Sequence, residues 1–128
     1  MLIGIFLIPS ITTYIAPPVQ VEKTTYELVQ EIDSLAIKNT LWCESKWRQF
    51  YNNGDIVVGA AGEIGIAQFM PSTWESFNKT RGTNLDINNI EHQLDMIVWA
   101  FENGLKHHWT CYKLVGKRYT PIFPHGDT

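Results

Sequence analysis

Two stretches decide how this chain reads: Cys43-Glu44-Ser45, and further along Gly65-Ile66-Ala67-Gln68-Phe69-Met70-Pro71-Ser72-Thr73-Trp74. The first places a carboxyl group among the apolar and aromatic neighbours Trp42, Cys43 and Trp47, where a helical pattern runs out. The second opens on a glycine, passes through the amide Gln68 and reaches Pro71, a residue tolerated in the first turn of a helix. Ser72 and Glu75 behind it have the spacing of a capping box. A glutamate closing one helix, followed by a glycine-bracketed turn that leads into another, predicts a mainly α fold with an irregular segment between helices.

Working outward, Thr24-Thr25-Tyr26-Glu27 has the form of a capping box, and Leu28, Ile32, Leu35, Ala36 and Cys43 continue as an approximately helical stripe. One helix from Thr25 to Lys46 is predicted, with Glu44 in its last turn. Between Tyr51 and Gly65 the composition changes to Asn52-Asn53-Gly54-Asp55, Ile56-Val57-Val58 and further glycines, which predicts a glycine-rich loop or small β-hairpin. The helix opened by Pro71 should end before Arg81-Gly82. Asn88-Asn89-Ile90-Glu91 then starts an amphipathic pattern with Ile90, Leu94, Ile97, Val98, Phe101 and Leu105 on one face, and Gly104 is placed to end it. Trp74 and Trp109 read as core. From Gly116 onward, with Pro121 and Pro124, an extended peripheral tail is expected. The organisation is therefore a leader and linker over 1–23, a domain over 24–115 and a tail over 116–128.

A chain of 128 residues, 45% of them apolar and 12% aromatic, can bury one sizeable core and hardly two. A formal charge of -3 argues against nucleic acid and against broad binding to anionic lipid, since Lys117 and Arg118 make only a small basic spot. The apolar run Leu2 to Ile8, prolonged through Ile11, Tyr14, Ile15 and Ala16 and followed by Pro17-Pro18, reads as a secretory signal or a short membrane anchor. No Lys or Arg precedes it, and a buried strand or a misassigned start is the alternative. An exported protein of the cell envelope or extracellular space, with N-terminal membrane association as an option, is the expectation. In that setting the two cysteines, Cys43 and Cys111, are expected to be bridged; in a cytoplasmic protein they would be separate buried thiols. The cysteines and histidines lack the spacing of a metal site. No cofactor is expected, and a monomer is.

Cleaving a glycosidic bond requires a carboxyl group that is still protonated near neutral pH, because the leaving oxygen must receive a proton as positive charge grows on the sugar ring. Apolar neighbours and the negative end of a helix dipole would both hold Glu44 as an acid. An isolated Glu44 would nonetheless read as a solvated helix end. Asp55 and Glu63, in the loop before Gly65, are further carboxylates; turn polarity accounts for Asp55, whereas Glu63 is open to either role.

From about residue 25 to Tyr112 the chain resembles the transglycosylase SLT domain, in its Glu-Ser at a helix end, Gly-x-x-Gln and Pro-x-Thr-Trp. The cysteine directly before Glu-Ser, the Gln-Phe and Ser-Thr-Trp pair, Gln93 and the closing Trp109-x-Cys111 are still more similar to resuscitation-promoting factors. The resemblance implies a lysozyme-like α+β core with an active-site cleft, peptidoglycan glycan strands as partner, and Glu44 as catalytic acid. It implies that Gln68 and Thr73 contact glycan, that Ser45 orients the carboxyl or the loop, that Gly65 lets the chain pack close to Glu44, and that Met70 floors the groove. The late Ala-Tyr-Asn-x-Gly motif of SLT domains has no counterpart here, and Tyr112 is the one substitute for its tyrosine. Goose-type lysozymes carry acidic residues in and just after the glycine loop to manage water, whereas here Phe69 and Met70 follow Gln68.

The reaction so implied is lytic transglycosylation: Glu44 protonates the oxygen between N-acetylmuramic acid and N-acetylglucosamine, and the muramic C6 hydroxyl closes a 1,6-anhydro ring. Lysozyme-type hydrolysis by the same acid is the alternative. A non-catalytic peptidoglycan-binding module is a rival from another class, and a membrane-anchored interaction protein would leave the ordered motifs unexplained.

Overall fold

The computed structural model describes residues 4–5, 9–19 and 21–124. It is mainly helical: α1 (Thr25–Gln30), α2 (Leu35–Ser45), α3 (Pro71–Arg81) and α4 (Ile90–Glu102), followed by a 3-10 turn at Lys106–His108 and a π-helical turn at Tyr112–Gly116.

The predicted capping box forms: Thr24 accepts the Glu27 N–H, and the Glu27 side chain reaches back to the Thr24 N–H. The single helix predicted over Thr25 to Lys46 does not; it breaks between Gln30 and Leu35. Ser34 is the cause, because its backbone is extended and its hydroxyl accepts the Ile37 N–H at 3.2 Å, which starts a second helix. The break lets α1 pack against α4 while α2 runs through the middle of the molecule, burying Ile37, Asn39, Thr40, Leu41 and Ser45. The Ser72/Glu75 box is also not formed. Pro71 is the first helical residue, so Met70 is the cap, without a side-chain bond, and Ser72 is already inside α3. α3 runs to Arg81 itself and stops at Gly82, whose φ of 73° suits glycine. At the end of α4, Gly104 N–H to Phe101 O and Leu105 N–H to Ala100 O (2.8 Å) form the Schellman motif that Gly104 announced.

Between α2 and α3 the chain is irregular, held by the isolated antiparallel bridges Phe50 to Ile56, Val58 to Ile64 and Ile64 to Phe69. Phe69 anchors it in the core, edge-on to Trp74 (4.8 Å) and Trp109 (5.3 Å). Trp74 and Trp109 are each 4% exposed, as core residues should be. Cys43 and Cys111 are bonded, tying the segment after α4 to the last turn of α2.

The segment after Gly116 is docked through Phe123. Phe123 is buried, its ring 4.5 Å from that of Trp47, and the buried amide of Asn39 donates to Thr120 O and accepts from Ile122 N–H. Part of the apolar N-terminal run lies outside the described residues; described residues up to Lys23 form no helix or strand, and Ile11, Tyr14 and Ile15 are exposed. Among the described residues no helix is long and apolar enough to cross a membrane.

Candidate active site

Glu44 is the penultimate residue of α2, next to the disulfide. Behind it the chain turns sharply through Lys46 (φ 55°) and Trp47 (φ 59°), both left-handed without being glycine. Such a turn costs roughly 1–2 kcal/mol per residue, and it is held by burial of Trp47 and by its indole N–H on Lys38 O at 3.0 Å. Burial pushes the Glu44 carboxyl up to about 7; hydrogen bonding from the Cys111 backbone opposes this, and the charge of Glu63 adds to it. The carboxyl is thus held as an acid close to neutrality by desolvation first and a second carboxylate after it.

The loop facing α2 is fixed through its own backbone. Ser45 Oγ donates to Ile66 O at 2.7 Å, Gln49 Oε1 accepts the Ile66 N–H at 2.7 Å, and Gln93 Oε1 accepts the Ala67 N–H at 3.0 Å. Gln93 Nε2 also donates to Ile64 O and Ile87 O, and Trp109 Nε1 donates to Ala67 O at 2.8 Å. Buried amides here satisfy a backbone that no sheet satisfies. Gly65, with φ of 77°, is required by this network: a Cβ would collide with Gln93 Nε2 and come within 2.6 Å of Gln49 Oε1. Its close approach is to those two glutamines rather than to Glu44. Ser45 orients the loop by the same logic.

Gln68 has a left-handed φ of 52°, and its Nε2 donates to Gly65 O at 2.8 Å. Glu63 Oε2 accepts the Ala61 N–H at 3.1 Å. Glu63 Oε2 and Gln68 Oε1 both occupy the space a side chain at Gly59 would fill. Glu63 and Gln68 therefore meet at Gly59, and the charge of Glu63 is the smallest of the influences on Glu44.

The chain matches no known protein family, no characterised protein and no solved structure.

Met70 is exposed at the head of α3, and Thr73 lines a shallow groove with Ser76, Phe77, Thr80 and His108. Tyr112 packs on Gly116 and edge-on against Phe101 at 5.4 Å. It borders a groove of about 530 Å³ with Ile32, Ala36, Ile37 and Val98, whose lining does not include Glu44. Asp55 is a turn residue, bonded to Asn53. Among the described residues no group of three or more His, Cys, Asp or Glu could hold a metal ion. Sequence reasoning missed Gln49, which lies beyond the helical stripe and gives no periodic signal.

Proposed function

We propose that the chain is a peptidoglycan-cleaving glycosidase with a lysozyme-like core, acting on the bond between N-acetylmuramic acid and N-acetylglucosamine. The observation that carries this reading is Glu44, a partly buried carboxyl pushed up to about 7 beside a loop that presents a second carboxylate and an amide. Such a group supplies a proton at neutral pH, and its conjugate base remains to accept one. Gln68 and the loop backbone offer the kind of polar atoms that read sugar hydroxyls and N-acetyl groups. The disulfide fits export to the envelope, where the substrate is.

In the reaction Glu44 protonates the bridging oxygen as the bond to C1 breaks. If the muramic C6 hydroxyl then attacks C1 and yields its proton to Glu44, the product is a 1,6-anhydro end and the protein is a lytic transglycosylase. If water attacks, the product is a reducing end and the protein is a muramidase. The test is mass spectrometry of soluble muropeptides released from purified peptidoglycan by wild type and by Glu44→Gln. Glu44-dependent release is expected, with activity lower by about a hundredfold or more in the variant. No release by wild type, under conditions where another muralytic enzyme works, would leave a binding module as the better account.

A further inference from the structure

We propose that the chain pairs with a second copy of itself rather than remaining a monomer, residues 113–119 of each copy lying in an acidic groove of the other. The inference does not depend on the role of Glu44.

The groove runs along α1 and α4. Three depressions of about 730, 270 and 530 Å³ succeed one another there and share their walls, the first two at Leu28, Glu31 and Glu91 and the last two at Glu31, Ile32 and Val98. Its floor is apolar, since Leu28, Ile32, Val98 and Phe101 pack against the core but are only partly buried by it. Its margins are acidic. Six carboxylates and two amines line it, a net of -4, whereas the whole chain carries -3. Lys23 pairs with Glu31, and Arg81 with Asp95. Glu22, Asp33, Glu91 and Glu102 form no ion pair among the described residues. A half-covered apolar strip between unpaired carboxylates fits a partner that is both cationic and apolar.

The chain carries such a surface itself. Residues 113–119 hold Lys113, Lys117 and Arg118, none of them ion-paired among the described residues, and with them Leu114 and Tyr119, which are 67% and 98% exposed. That exposure shows that the segment does not fill the groove of its own copy. It starts at the groove all the same, because Tyr112 lines the 530 Å³ depression and Lys113 is the next residue. With groove and segment adjoining, a two-fold axis between them lets both contacts form at once, and association stops at the dimer. The other apolar stretch of the chain, residues 1–21, has no charged side chain, so it would match the floor of the groove but not its margins. Glu44, Glu63 and Gln68 line none of the three depressions, and pairing leaves them outside the contact.

The experiment is sedimentation equilibrium of the full chain at low and high salt, about 50 and about 500 mM NaCl. It compares wild type with a groove variant, Asp33→Lys with Glu102→Lys, and a segment variant, Lys117→Glu with Arg118→Glu. Wild type should form a dimer whose Kd rises about tenfold or more across that salt range. Each variant alone should be monomeric where wild type is dimeric. Mixed in equal amounts they should pair, because the reversed groove of one meets the reversed segment of the other while the unaltered groove and segment meet as before. A merely destabilising substitution would not produce that rescue. Leu114→Ser, which keeps every charge, should also weaken the dimer, and it carries the test if a charge-reversed variant does not fold by circular dichroism. Wild type that stays monomeric, or folded variants that stay monomeric when mixed, would overturn the inference. A dimer that persists in both variants and ignores salt would also overturn it and pass the contact to the uncharged N-terminal run.

Discussion

At the scale of the residue, Glu44 dominates, and its protonation ties function to stability. A carboxyl whose folded-state value is raised favours the fold in its neutral form. That contribution is complete below the ordinary glutamate range and is lost as pH rises through about 7. Glu44→Gln keeps the neutral shape at every pH. In urea unfolding it should match wild type near pH 4 and exceed it by about 1–3 kcal/mol near pH 8, after solvent screening is allowed for. A constant difference across that range would contradict a desolvated Glu44. The raised Glu44 carboxyl agrees with its apolar neighbours and its place at a helix end, although on those grounds alone a solvated helix end was the better reading. The meeting of Glu63 and Gln68 was not legible in the sequence, because it depends on a turn that folds both against Gly59, and no periodicity encodes that.

At the scale of the element, helix ends were legible where one cap signal stood alone and illegible where two local signals competed. Thr24, Asn89 and Gly104 perform the roles their sequence positions announce. Ser34 breaks an otherwise continuous stripe, and Pro71 displaces the cap from Ser72 to Met70. The loop from Gly65 to Phe69 is the most demanding element, since its polar backbone is satisfied by Gln49, Gln93, Ser45 and Trp109, side chains distant in sequence. Gly65→Ala should therefore be costly. A left-handed φ and collision with two buried amides together should lower stability by roughly 3 kcal/mol, read as a shift of the urea midpoint without change of slope. Gly62→Ala, where φ is also positive but nothing lies within 4 Å, is the control and should cost clearly less.

At the scale of the whole molecule, the described part of the segment after Gly116 packs on the core through Phe123. Its prolines and polarity predicted a tail, yet one aromatic residue and the amide of Asn39 suffice to dock it against α2. Phe123→Ala should cost about 2–3 kcal/mol and speed amide exchange from Lys117 to Phe123, while leaving exchange in α4 nearly unchanged at low denaturant. The Cys43–Cys111 bond has a different kind of consequence. It closes a covalent ring that contains Glu44, Glu63, Gln68 and Thr73. A protease cutting the exposed Asn52-Asn53-Gly54 turn would leave two polypeptides that still travel as one molecule, joined through sulfur at the edge of the site. Such a clip would be invisible on a non-reducing gel and would appear as two bands after reduction. In surroundings rich in proteases, this chain can be nicked without being dismantled.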